Sequence, residues 1–158
     1  MENNLFIPAF DLQSHLFTNT IVGVNGANDT KRINDTNHLS WVAGHLVSTR
    51  HLLGNVLGVQ TTEKYAELFA NRKGLDTNAS YPALADLQHE WNQVTAAVRP
   101  KIAALNEEVL NSPAPFPTPV AEESMAGFIK FILHHEAYHI GQMSLLRRQL
   151  GYPAMSYR

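Results

Sequence analysis

The chain has 158 residues, 44% hydrophobic and 16% charged, with a net charge of −2 when histidine is neutral. These values suit one globular domain spanning residues 1–158, and no basic run points to a nucleic-acid partner. No stretch approaches the roughly 20 apolar residues of a membrane span, and the Met-Glu-Asn-Asn start lacks the basic and apolar runs of a secretory leader. The expectation is a cytoplasmic protein without a membrane partner. Cysteine is absent, so any metal must be held by nitrogen and oxygen donors.

Residues 5–24 read as a first helix, with Phe10, Phe17, Ile21 and Val24 on one stripe and Gly23 and Gly26 at its end. Residues 25–37 are rich in Asn, Asp and Thr, a loop composition in which Thr36 or Asn37 is suited to cap the next helix. A second helix is expected over 38–58. Its ladder is Leu39, Val42, Leu46, Thr49, Leu53 and Val56, and a parallel row contains His38, Trp41, His45 and Leu52. Residues 61–73 suit a short helix with Tyr65, Leu68 and Phe69 inward.

A third long helix is expected over 82–108, capped by Ser80, with Pro82 in its first turn and a kink or a local break at Pro100. Alternating prolines over 111–119 force an extended connector. Thr118 and Pro119 then open a fourth helix that runs to Leu150, with Glu122 and Glu123 in its positive first turn. Gly151 and Pro153 end it, and Arg147 and Arg148 are expected to face the helix dipole and solvent. No strand pattern stands out. Four long amphipathic helices give an all-α four-helix bundle with long connections.

The fourth helix carries His135 and His139. Residues four apart lie about 40° apart in azimuth and roughly 6 Å apart along the axis, so one metal ion can take a nitrogen from each. The apolar steps Met125, Phe128, Ile132, His135, His139, Gln142 and Leu146 alternate three and four, so both histidines stand where core residues are expected. Buried imidazoles need partners. A shared metal satisfies both.

His135-Glu136-Ala137-Tyr138-His139 also fits the His-Glu-x-x-His pattern of zinc peptidases. That reading needs a third ligand downstream, and residues 140–158 contain no His, Asp, Glu or Cys. Glu136 is 100° round the helix from His135 and is expected in a supporting, interface or surface role. The third ligand must come from upstream. His45, on an apolar helix face, is the candidate. Alone it would be read as a core histidine bonded to a carbonyl; with His135 and His139 on another helix, the metal reading is preferred. His38 is suited either to the same cavity or to a cap. His134 points away, and His15, His51 and His89 read as surface or boundary residues. Trp41 reads as core.

Two segments carry a resemblance. Asn37-His38-Leu39-Ser40-Trp41-Val42-Ala43-Gly44-His45-Leu46 resembles the second-helix segment of the DinB-like (DinB/YfiT) superfamily. His135 through Met143, with Leu146-Arg147 and Gly151-Tyr152-Pro153, resembles its fourth helix and C-terminal turn. The resemblance implies a bundle, often a homodimer, that holds a divalent metal on His45, His135 and His139. Zn or Ni is expected, with Fe as a further option.

Members of that family include thiol-dependent transferases that use a small thiol such as bacillithiol, mycothiol or glutathione. The resemblance therefore implies a metal-dependent S-transferase with a small-molecule substrate and a low-molecular-weight thiol. A hydrolase using activated water and a bundle with a structural metal or a binding role are the alternatives. No catalytic side chain is singled out, and the substrate cavity is expected beside Trp41 and His38.

Overall fold

The computed structural model describes residues 5–158, apart from the side chain of Arg72. The reading of the N-terminal four residues lies outside them. Six α-helices follow in order: α1 (Phe6–Ile21), α2 (Leu39–Val56), α3 (Ala66–Phe69), α4 (Leu84–Ala103), α5 (Glu107–Asn111) and α6 (Met125–Gln149). No strand occurs among the described residues beyond an isolated bridge between Pro113 and Ser124. The expected all-α bundle is built from α1, α2, α4 and α6. Helices α1 and α2 each pack against α4 and α6. Chain-sequential α1 and α2 therefore stand across a diagonal, and α2 lies directly against α6.

Two apolar clusters fill the interior. One joins Phe17, Leu39, Leu46, Leu87, Trp91 and Met143. The other joins Phe10, Leu53, Val98, Ile102, Phe128 and Ile129. Phe17 and Trp91 stack at 4.1 Å between ring centroids. Each such fully buried side chain contributes about 1.5–3 kcal/mol, which is what sets the four helices in place.

Several helix ends differ from the sequence expectation, each for a local reason. Neither Thr36 nor Asn37 caps α2; His38 does, its Nδ1 accepting the Trp41 N–H at 3.1 Å. Ser80 does not cap α4, and Pro82 lies outside it. Asp29 of the polar loop takes that role across space, its Oδ2 accepting the Leu84 N–H at 3.0 Å. The same residue's carbonyl accepts the Ser40 N–H at 2.9 Å, so one loop residue ties the starts of α2 and α4 together.

The expected 82–108 helix is two. α4 ends one turn after Pro100, and Asn106 caps the separate α5 through the Val109 N–H at 2.9 Å. Proline removes a donor and crowds the preceding turn.

Helix α6 starts at Met125 rather than at Pro119, because the connector stays extended up to Ser124. Met125 N–H donates to Ser112 O at 2.8 Å and Ala114 N–H to Glu123 O at 3.2 Å, which folds the connector back on itself. Ser124 Oγ accepts the Gly127 N–H at 3.1 Å. A Cβ at Gly127 would meet Glu122 O at 1.9 Å, so the close return of the connector requires glycine there. Glu122 is outside the first turn and pairs with Lys130 at 2.5 Å instead.

Arg147 is also not solvent-facing. It is buried and donates from Nε to Pro153 O at 2.7 Å and from Nη1 to Thr20 O and Val22 O, closing the free carbonyls at the end of α1.

Candidate metal centre

Helix α2 presents His45 and α6 presents His135 and His139 into the groove where the two helices meet. His135 Nε2 lies 3.0 Å from His45 Nε2 and 3.1 Å from His139 Nε2. One ring nitrogen from each residue falls within 4.8 Å of the others, close enough to hold a single ion. All three rings meet edge to face, with centroids 4.4–4.9 Å apart.

The histidines do not occupy the middle of the core, as the three-and-four ladder suggests. All three are half-buried. The deepest line of α6 runs through Ile129, Ile132, Leu133, Glu136, Ile140 and Met143, one residue round the helix from the expected line. His135 and His139 lie on its edge, which leaves them reachable from outside.

Their surroundings fix the rings. Trp41, one turn before His45, stacks on it at 5.2 Å with planes 8° apart. Gly44 lets α3 approach behind this ring pair, since a Cβ there would lie 2.2 Å from Phe69 Cζ. Gln142 Oε1 sits 2.7 Å from His139 Nδ1, and its Nε2 donates to Tyr138 Oη at 3.2 Å. An amide oxygen only accepts, so His139 carries its proton on Nδ1 and keeps a lone pair on Nε2.

Burial lowers the pKa of His45 to about 4, with a further push from His139. Burial also lowers His135 to about 4, helped by His139, His45 and His134. Burial lowers His139 against the opposing pull of the Gln142 oxygen. Neutral imidazoles are what a metal requires.

The donor set fits a divalent cation. His135 Nε2 stands between two other ring nitrogens but can offer at most one proton. Bond lengths of 2.0–2.1 Å in a tetrahedral site put ligand nitrogens about 3.3 Å apart, close to the spacings found here. An ion shared by the three lone pairs would remove the shortage of protons.

A family model described as the DinB superfamily matches residues 18–143, a span that includes His45, His135 and His139. The chain belongs to the DinB superfamily. No curated protein sequence matches it. The bundle and the three-histidine cluster of this DinB-superfamily chain fit a metal-binding protein.

Other residues fall differently. The cavity of about 680 Å³ that reaches His45 and His135 does not lie beside Trp41 and His38. It opens in the other direction, past Thr49 and Leu52 on α2, against Phe131 of α6 and the connector at Phe116 and Thr118. His38 is buried as the α2 cap, sits edge-on to Tyr81 at 4.8 Å and borders a separate cavity with Arg32. His134, His15 and His89 are exposed. His51 is not a boundary residue: it is buried, with Nδ1 2.7 Å from Thr61 Oγ1.

Glu136 is fully buried and faces away from the histidines. It forms a two-pronged ion pair with Arg50, Nε to Oε1 at 2.9 Å and Nη2 to Oε2 at 2.5 Å. Arg50 also donates to Ser14 Oγ and Thr95 Oγ1 and lies over the Trp91 ring at 3.7 Å. The sequence reading missed Arg50. Its signal was an arginine at the ladder position between Leu46 and Leu53, where Thr49 was taken as the inward residue.

Proposed function

We propose that His45, His135 and His139 hold one divalent metal ion through their Nε2 atoms and that the chain is a metal-dependent S-transferase. The observation that carries this reading is the convergence of three neutral, underpaired imidazoles, two of which, His45 and His135, line an open cavity. Zn or Ni suits three imidazoles best, with Fe as a further option. When bound, such a metal supplies Lewis acidity that lowers the pKa of a thiol at an open coordination position.

The protein's own residues do the rest. Trp41 and Gln142 hold the rings of His45 and His139 in orientation. The cavity takes the acceptor. With no cysteine in the chain, the thiol arrives as a co-substrate, and a thiol-rich, cytoplasmic setting fits this reading. In the addition form of the reaction, a sulfur–carbon bond forms as the acceptor's π bond opens. The thiol proton ends on the neighbouring carbon, so no oxidant is consumed.

Peptidase-type hydrolysis has no support here. Both Glu136 oxygens are held by Arg50, so that carboxylate has no free face for activating water.

A homodimer is part of this reading. Tyr138, Gly141 and Leu145 form an exposed line on α6, and no described residue outside the helix's own turn lies within 4 Å of a Cβ built on Gly141. Mid-helix glycine costs about 1 kcal/mol relative to alanine. A second copy of the helix approaching there would offset that cost.

The test is thiol addition to a slow, neutral electrophile, run with several small thiols. Zn- or Ni-loaded wild type is expected to accelerate it, and His45→Ala to leave the uncatalysed rate. Equal rates for both proteins with every thiol would overturn the transferase reading.

A further inference from the structure

The cavity at the histidines differs from the others in charge. Its walls are Leu52, Phe116, Phe131 and Ile132, with prolines 117 and 119 of the connector at the rim. Among the described residues, no Asp, Glu, Lys or Arg lines it. Three other cavities among the described residues each carry such a side chain. Arg32 and Asp76 border one, Asp35 a second and Glu90 a third.

The few other polar groups at the histidine cavity are uncharged hydroxyls, each with one bond inside the chain. Thr49 Oγ1 donates to His45 O at 2.9 Å, and Thr118 Oγ1 accepts the Val120 N–H at 3.3 Å. A charged molecule body placed between Phe131 and Phe116 would lose part of its hydration and find no counter-charge, which disfavours it. An apolar or aromatic body would gain contact with both rings. The polar ends of the site are the two histidine rings, His45 and His135, at one extremity.

We propose that this cavity is the acceptor subsite and that it selects an uncharged aromatic or apolar molecule, presenting its reacting end to the histidines. The assignment rests on the reading of the histidine cluster as the reactive centre. It also divides the two substrates. The small thiols, which carry charged groups, do not enter between Phe116 and Phe131; the electrophile does. The extended proline-rich connector acquires a function in this arrangement, because it forms the outer wall of the subsite and holds Phe116 in place. Phe116 is itself anchored edge-on against Phe128 of the core at 5.2 Å.

The test uses binding without turnover. The full-length protein is titrated with a matched pair of probes, neutral 1-naphthol and anionic 1-naphthalenesulfonate, followed by their fluorescence, with and without Zn. 1-Naphthol is expected to bind at least about tenfold more tightly than the sulfonate in metal-free protein. Leu52, 40% exposed, can be replaced without disturbing the core. Leu52→Lys is expected to bring the ratio to unity or reverse it, and Phe131→Ala to weaken 1-naphthol at least about fivefold.

Equal affinity for the two probes in the wild type overturns the proposal, as does a ratio unmoved by Leu52→Lys. Size measurement accompanies each titration. A dimer that excludes the probe and dissociates on Leu52→Lys would show that a second copy covers this wall, and would also overturn it. Metal content measured on the same samples keeps the two readings apart. Loss of the metal reading with naphthol selectivity intact leaves an apolar binding cavity without the transferase. Metal binding with no selectivity leaves the centre without this subsite.

Discussion

Two polar clusters link α2 to α6, and they are built on opposite terms. In one, Arg50 and Glu136 are both fully buried, and each guanidinium nitrogen is hydrogen-bonded: Glu136 takes two bonds, while Ser14 of α1 and Thr95 of α4 take one each. In the other, three half-buried imidazoles face one another with too few protons to go round. Consecutive residues, His135 and Glu136, belong one to each. The first cluster has its demands met inside the protein and ties all four long helices. The second leaves ring lone pairs facing one another, and it lies at an open cavity. A saturated polar group stabilises a fold; an unsaturated one beside a cavity is available for chemistry.

The contrast can be broken most violently at the ion pair. Glu136→Ala leaves the Arg50 guanidinium buried without its counter-charge, and urea unfolding is expected to show a loss of about 3–5 kcal/mol. Arg50→Met combined with Glu136→Leu should lose less than the two single changes together, since no charge is then stranded. A double change as costly as the sum would mean the pair is not a coupled unit.

At the histidine cluster the same operation should act on metal and hardly on folding. His139→Ala is expected to bring metal content after Zn loading below about a tenth of wild type, while metal-free stability changes by about 1 kcal/mol or less. Elemental analysis and urea unfolding of the same preparation check both halves. Wild-type metal content in this variant would remove His139 from the ligand set.

A finer test addresses ring orientation. Gln142→Leu removes the oxygen that holds His139 Nδ1–H, and metal affinity is expected to fall about tenfold with the saturating metal content unchanged. Competition with a chromogenic chelator gives the affinity.

The smallest effect concerns pH. Burial, aided by Arg32, lowers the His38 pKa from 6.5 to about 4. The unfolded chain therefore takes up this proton more readily than the folded one. The contribution of the group is present above about pH 6.5 and is lost as pH falls toward 4. His38→Asn keeps a capping acceptor that does not titrate, so its melting temperature should decline less than that of wild type across the same interval. Parallel declines would show that His38 does not contribute.

The order and face of the long helices were legible because an amphipathic period is written locally, residue by residue, and the ladders through Leu46, Leu87 and Phe128 all lead into the core. The histidines were legible as well, because four-residue spacing on a helix brings His135 and His139 together whatever surrounds them. What the sequence could not decide was a matter of rotation and of distant partners. A helix turned by one residue exchanges His135 for Glu136 at the centre of the bundle, and only packing against α1 and α2 selects between them. Arg50 finds its carboxylate 86 positions away, and Asp29 caps a helix that starts 55 positions later. The cavity beyond His45 exists because the proline-rich connector folds back over Phe131. Such contacts depend on the sum of burial over all four helices, which no local pattern contains.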